Sequence, residues 1–337
     1  MAERGPMLRT LAVMLVVLGA VLLSACGGDE EGPGPTTVPS PTATGAVGPS
    51  PTFVPSTPVG TVEASLPAGK IAFQSRRDGN GEIYLLTPEG EVRITNDPAE
   101  DANADVSPDG NKILFSSDRE DGTAHIYVVN IDGSGLAKLT GDASGDFSPR
   151  WSPDGERIAF SRTGAIYVMD SDGGNVQKVT EPKPEATAPL CEAGAFLGNW
   201  SPDGQRLTFY AASATRQMGQ VCTVKLDGSD LTVVVSEPPG WHVEPQWSPS
   251  GEWIAYRSIR DGNHEIRIVK PDGTSDTNLT NSPATDIEPA WSPDGQWIVF
   301  ASDRTGAFDL YMMRPDGSDV TRLTNSGGKD SDPSWGP

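Results

Sequence analysis

Histidine and cysteine are scarce, 3 of each in 337 residues. They do not cluster, which excludes a conventional His/Cys zinc site. Basic residues are outnumbered, 25 Lys and Arg against 46 Asp and Glu, for a net charge of −21. Such a chain lacks the cationic field that a nucleic-acid binder needs to displace counterions from phosphates. Long hydrophobic runs are also missing. The stretch Leu11 to Leu23 has 13 residues, short of the roughly 20 that span a bilayer as a helix. What is plentiful is Gly, 38, and Pro, 30, together about a fifth of the chain. Both interrupt helices, so a mostly helical protein is excluded and an all-β protein with many tight turns is favoured. A hydrophobic fraction of 36% can still build a core, and 21% charged residues is too few for wholesale disorder.

The first residues read as an address. Arg4 and Arg9 precede the apolar run, which ends in Leu23-Ser24-Ala25-Cys26. This is the form of a secretory signal, and its end resembles the lipobox of bacterial lipoproteins. That resemblance implies a signal peptide over 1–25 and a lipid on the Cys26 thiol. Residues 26–66 follow as a tether, with Pro33, Pro35, Pro39, Pro41, Pro49, Pro51, Pro55 and Pro58 among Thr, Ser, Gly, Val and Ala. The tether has no apolar periodicity to bury and reads as a disordered, locally polyproline-like stalk.

The rest is one unit repeated. Trp-Ser-Pro-Asp-Gly begins at Trp151, Trp200 and Trp291, Trp-Ser-Pro-Ser-Gly at Trp247, and Val-Ser-Pro-Asp-Gly at Val106; Trp335 opens Trp-Gly-Pro. The spacings are 45, 49, 47, 44 and 44 residues. Periods of this length with four short apolar runs each are the signature of a propeller. In the unit at Trp291, Ser-Pro-Asp-Gly makes a tight turn, Trp297 to Ser302 alternates as a strand, Leu310 to Met313 is a third strand and Val320 to Thr324 a fourth. Residues 70–95 hold strands two to four of a unit without a first, and Asp332 to Trp335 is a first strand alone. Joining them closes a ring of six four-stranded antiparallel blades over residues 67–337 and removes its exposed edges. A closed ring of this kind is expected to be a monomer.

These units resemble the WD-type repeats of the TolB-like six-bladed propellers, over about four fifths of the chain. The resemblance implies an extracytoplasmic propeller that acts by binding. TolB proper carries an α/β domain before its propeller, where this chain has only the stalk. Similar propellers accompany prolyl oligopeptidase-type peptidases, but no Gly-x-Ser-x-Gly elbow is present here.

The loops that lead into each inner strand repeat an acid, any residue, often another acid, then Pro. The instances are Asp330-x-Asp332-Pro333, Asp286-x-Glu288-Pro289, His242-x-Glu244-Pro245, Asp146-x-Ser148-Pro149 and Asp101-x-Asn103; Gly194 and Phe196 break the pattern. The ring gathers these carboxylates around one mouth, where they repel and either gain protons or hold a cation. The candidate docking residues are Asp101, His242, Glu244, Asp286, Glu288, Asp330 and Asp332, with Trp241 beside them. A basic peptide segment of an envelope protein, a divalent cation or an amine-bearing glycan would fit. The competing reading is structural: the acids pair with Arg77, Arg119, Arg162, Arg260 and Arg304 in blade-to-blade clamps.

The irregular features are an insert at 181–199 carrying Cys191, and Cys222 standing where other units place Tyr84, Tyr127, Tyr167 or Tyr311. Both fall on the mouth face, so a Cys191–Cys222 disulfide is expected, stable outside the cytoplasm. The regular Trp residues read as blade-to-blade core. The three His occupy unrelated repeat positions, and the His/Gln metal cluster of related uronate lyases is absent. The sequence therefore points to a lipid-anchored, non-catalytic binding propeller at a bacterial membrane. The alternatives are a metal-dependent glycan lyase or hydrolase, and a spacer in an envelope complex.

Overall fold

A computed structural model describes residues 66–141, 144–183, 191, 194–213, 218–237, 240–260 and 262–337. The expected leader, Cys26 and the tether up to residue 65 lie outside the described residues. The described chain is all β, with 24 strands in six four-stranded antiparallel sheets and no helix.

Each sheet is one repeat. Its inner strand carries the mouth loop's acids, and its outermost strand is often only two residues long, as in Ala137–Lys138 and Thr321–Arg322. The inner strands are β4 (Asp101–Val106), β8 (Asp146–Trp151), β12 (Gly194–Trp200), β16 (His242–Trp247), β20 (Asp286–Trp291) and β24 (Asp330–Gly336). Each touches the inner strand before and after it, which makes a closed ring around a channel. Blade one is the split unit. Strand β24 pairs antiparallel with β1 (Lys70–Ser75), Trp335 opposite Ile71 and Asp330 opposite Ser75, and the sheet continues through β2 (Glu82–Thr87) and β3 (Gly90–Arg93). Blades two to six begin at β4, β8, β12, β16 and β20 in turn.

The repeated motif has a job at each end. In Ser107-Pro-Asp-Gly110 the Ser107 hydroxyl donates to Asp109 at 2.6 Å and accepts the Lys112 amide at 2.9 Å. Gly110 takes φ +70°, a region where a Cβ is penalised. The hydrogen bond from Ser107, with Asn111, holds the Asp109 carboxyl down at about 2. The tryptophans seal the joints. The buried apolar residues fall into six clusters, each filled from two adjacent blades: Trp335 lies between blades one and six, Trp200 between three and four, Trp247 between four and five, and Trp291 between five and six. Trp151 packs partly buried between blades two and three. The expected core role of the regular tryptophans agrees with this placement.

Every inner strand has a register shift where it pairs with its neighbour. In five of them the third residue sits in the left-handed region: Asn103, Ser148, Glu244, Glu288 and Asp332, φ between +51° and +56°. A bulge of this kind usually takes Gly or Asn, so a glutamate there costs on the order of 1 kcal/mol. In the fourth blade none of the residues of the inner strand takes this conformation; its Gly198 is instead fixed by close packing, since a Cβ there would come within 2.1 Å of the Pro245 carbonyl of the next blade.

The closure can be tested by removing it. Deleting residues 330–337 bares the edge of β1 and the cluster beneath it. We expect loss of cooperative unfolding and formation of aggregates, seen by calorimetry and size exclusion. Trp335→Ala keeps the pairing but empties the cluster, at about 3–5 kcal/mol, a fall of roughly 10 °C in Tm.

Candidate functional site

The two acids of the mouth motif have opposite fates. The first lies in the sheet, opposite the end of the second strand. Asp101, Asp146, Asp286 and Asp330 have no solvent exposure at all. Each meets an arginine from the next loop of its own blade. Arg119 donates from Nη2 to both oxygens of Asp101 at 2.9 Å. Arg162 reaches Asp146 through Nε at 2.6 Å and Nη2 at 3.0 Å. Arg304 donates to Asp286 Oδ1 at 2.9 Å, while Oδ2 is buried without a partner among the described residues. Arg77 bridges Asp330 at 3.2 and 3.3 Å and also pairs with Glu91. A serine two residues before the arginine accepts its Nε in three of the four, Ser75, Ser117 and Ser302. The guanidinium then lies over the aromatic pair of the middle strands: Arg119 is 5.2 Å from Phe115 and 4.9 Å from Tyr127, and Arg304 is 5.2 Å from Phe300 and 4.7 Å from Tyr311. At Asp101 burial outweighs the arginine and lifts the carboxyl above its ordinary range.

These are clamps, but within blades. The expected blade-to-blade pairing is corrected, because the acid on strand one and the arginine after strand two belong to the same sheet. Asp101, Asp286 and Asp330 are consequently withdrawn from the mouth surface that the sequence pattern assigned to them.

Blades four and five replace the clamp. In blade five His242 fills the aspartate's place, buried, with Nδ1 3.0 Å from Ser258 Oγ and Nε2 3.1 Å from the Glu237 carbonyl. Burial pushes its pKa down, so the ring is neutral. Arg260 then turns to Asp276, 2.8 Å, and Glu237, 3.1 Å. In blade four Ala195 stands in the acid's place, and Cys222 stands opposite Phe209 where other blades put the tyrosine under the arginine. Cys222 is bonded to Cys191, Cα atoms 6.0 Å apart, as expected. A covalent tie thus takes the place of the ionic one.

The second acid faces the channel. Glu244, Glu288 and Asp332, on consecutive blades five, six and one, are half-buried. They form a ladder across the blade joints. Glu244 Oε2 accepts the Glu288 amide at 3.0 Å, and Glu288 Oε2 accepts the Asp332 amide at 2.7 Å. The left-handed bulge aims those amides at the preceding carboxylate. Glu244 also meets Arg257 at 2.6 Å. Burial lifts the Glu244 carboxyl, Glu288 adding to the effect and Arg257 opposing it. Burial lifts Asp332 as well, to about 7, with Glu288 and Glu244 adding and Lys329 and Arg150 opposing. The acidic crescent of the sequence analysis is therefore these three residues. Among the described residues no group of three His, Cys, Asp or Glu is placed to hold a metal ion.

Arg257, Lys329, Arg150 and Asp105 escaped the sequence reading. Asp105 precedes Val106, and its carboxylate accepts the Trp151 amide at 2.7 Å and the Ser334 hydroxyl at 2.9 Å, joining three blades. Asn199 does the same toward Trp247, 2.8 Å. Their shared place just before the Trp or Val was the available signal. The opposite side of the mouth is aromatic. Phe147 on β8 is 43% exposed. Phe196 on β12 stacks on Tyr210 at 5.0 Å and 15°. Tyr210 has its pKa raised by burial and by the charges of Glu244 and Asp332. Trp241, the half-buried residue before His242, lies in the loop that opens blade five.

The two acid positions respond differently to mutation. Asp286→Ala leaves Arg304 without its carboxylate and costs about 3–5 kcal/mol. Glu288→Gln keeps an acceptor for the Asp332 amide and stays within about 0.5 kcal/mol. Urea unfolding of both variants measures this; equal losses would contradict the division between clamp and channel. Replacing Cys191 and Cys222 together by Ser opens a loop with a sequence separation of 31 residues, a loss of about 3–4 kcal/mol by chain entropy.

Comparison with known proteins agrees with the geometry. A stretch of 50 residues is 40% identical to "Tol-Pal system protein TolB" of Syntrophus aciditrophicus, covering 15% of this chain and 11% of that protein. The crystal structure of TolB from Acinetobacter baumannii superposes with a TM-score of 0.67 at 19% identity, over 80% of this chain and 67% of that one. An oligogalacturonate lyase in complex with manganese superposes with a TM-score of 0.50 at 17% identity, over 77% and 74% of the two chains. At such identities the superpositions show the fold alone. The TolB beta propeller domain family matches residues 64–165 and 161–337, the whole of the ring, and the chain belongs to that family.

Proposed function

We propose that the chain is a non-catalytic docking module of the bacterial envelope, which takes a cationic segment of a partner protein into the mouth of its propeller. One observation carries this reading: Glu244, Glu288 and Asp332 line three consecutive blades at the channel, and of the three only Glu244 has an arginine partner, Arg257, among the described residues. Carboxylates with low-dielectric walls focus negative potential on a cation entering between them. The exposed Phe147 and the Phe196–Tyr210 stack on the other side suit an apolar or aromatic neighbour of that cation. The histidines support a non-catalytic reading. His125 lies against Asp121 in blade two, His242 is held by Ser258 and the Glu237 carbonyl, and His264 precedes β18 (Glu265–Val269), so the histidines are each committed to separate places.

The envelope assignment draws on the likeness to a Tol-Pal system protein and on the disulfide, which persists outside the cytoplasm. A lipid on Cys26 would hold the ring to a membrane, with the Pro-rich stretch as its tether.

The test is affinity capture of envelope proteins on the immobilised chain beside a Glu244→Gln, Glu288→Gln, Asp332→Asn variant. A protein retained by the native chain and lost by the variant, with Tm changed by only a few degrees, is the expected result. Equal retention by both would move the docking surface elsewhere. No retention by either would favour a spacer.

A further inference from the structure

The ladder of the mouth has an open end. Glu244 accepts an amide and a guanidinium, and Glu288 accepts an amide. The ladder stops at the next joint: the carboxylate of Asp332 accepts no hydrogen bond among the described residues, although its own amide is held by Glu288. The groups around it are accounted for element by element. Glu288 on β20 and Glu244 on β16 repel its charge, while Lys329, just before β24, and Arg150 on β8 attract it. On β4, Asp105 is tied to Trp151 and Ser334, and Asp101 to Arg119. On β22 (Asp309–Met313), Asp309 is tied to Arg322 at 2.6 Å, and on β20 Asp286 to Arg304. Lys70 of β1 reaches backbone carbonyls at the far end of the pair, and β21 (Ile298–Ser302) has no charge. Thus Asp105, Glu244, Glu288 and Asp332 stand against Arg150, Arg257 and Lys329, one carboxylate in excess of the cations.

We propose that Asp332 is the proton-holding end of this ladder: its carboxyl carries the excess proton when the mouth is empty, and a cationic group seated beside Glu288 drives that proton off. The first half stands on the ladder; the second rests on the docking reading. The result is a mouth that balances its own charge until a partner supplies the missing cation. Neutralising one member of a crowded carboxylate group is the ordinary outcome when like charges share a site.

A carboxyl that holds its proton more tightly folded than unfolded favours the fold while protonated. That contribution fades as pH rises from about 4, the unfolded value, to the folded one near neutrality. Asparagine is uncharged at every pH and tolerates the left-handed bulge.

Thermal unfolding of the full chain and of Asp332→Asn therefore separates with pH. We expect nearly equal Tm at pH 4 and a variant melting several degrees higher at pH 8. In the native chain, the Asp332 side-chain carbon resonance should titrate with its midpoint near pH 7, a readout that needs no variant. A midpoint below pH 5, or the same Tm difference at both pH values, would overturn the proton assignment. With pentalysine as the cationic probe, affinity should weaken about tenfold from pH 8 to pH 6 in the native chain and stay constant in Asp332→Asn. A pH-independent affinity in the native chain would refute the coupling. Absence of pentalysine binding at both pH values would refute the displacement step and the docking reading, whereas the ligand-free titration decides the proton by itself.

Discussion

The antiparallel pairing of β24 with β1 is the contact on which the rest of the structure depends. It joins residues some 260 positions apart (Asp330 to Ser75, Trp335 to Ile71), and the entropy of closing so long a loop is recovered only when the whole ring is present. A blade alone exposes two apolar faces. Each of the six clusters needs both of its blades, so an open ring would leave one face of blade one and one face of blade six in water. Closure also completes the site: Asp332 and Asp330 arrive on the closing strand, and the carboxylate ladder crosses the joint between blades six and one.

The same repeat position serves stability or function according to its register. The first acid of the mouth motif points into the sheet, where arginine, serine and two aromatics surround it. The second lies two residues on, where strand alternation alone would return it to the same face. The left-handed bulge intervenes and turns it to the channel. Glycine would fit that backbone with less strain. Glutamate at Glu244 and Glu288 places charge there instead, and the bulge amides that the distortion frees become donors to the neighbouring carboxylate. Backbone strain and acidic mouth are thus two aspects of one local geometry.

The blades that depart from the repeat show which interaction the clamp supplies. Blade four has Ala195 in the aspartate's place and Cys222, held in a disulfide, where other blades put the tyrosine under the arginine. Blade five exchanges aspartate for a neutral histidine and moves the ion pair outward to Asp276, which also accepts from Tyr256 at 2.8 Å and Arg267 at 3.0 Å. Each blade ties its inner strands near the mouth, by ions, by imidazole or by sulfur. The need is mechanical, since this is where the chain crosses from one blade to the next.

Much of this was legible in the sequence because the repeat is short-range information. Ser-Pro-Asp-Gly specifies its own turn, alternation specifies each strand, and the split between residues 70–95 and Trp335 specifies how the ring closes. The cysteine pair was legible too, through the loss of tyrosine at Cys222. What the sequence could not decide was which acids meet solvent. Asp286 and Glu288 are two residues apart with equal formal charge, and a strict strand period puts them on one face. Only the tertiary structure, through the bulge and through arginines returning from the next loop, buries one and leaves the other in the channel. The cations Arg257, Arg150 and Lys329 were hidden for the same reason: they come from different blades at unrelated repeat positions, and only the curvature of the ring brings them to one mouth.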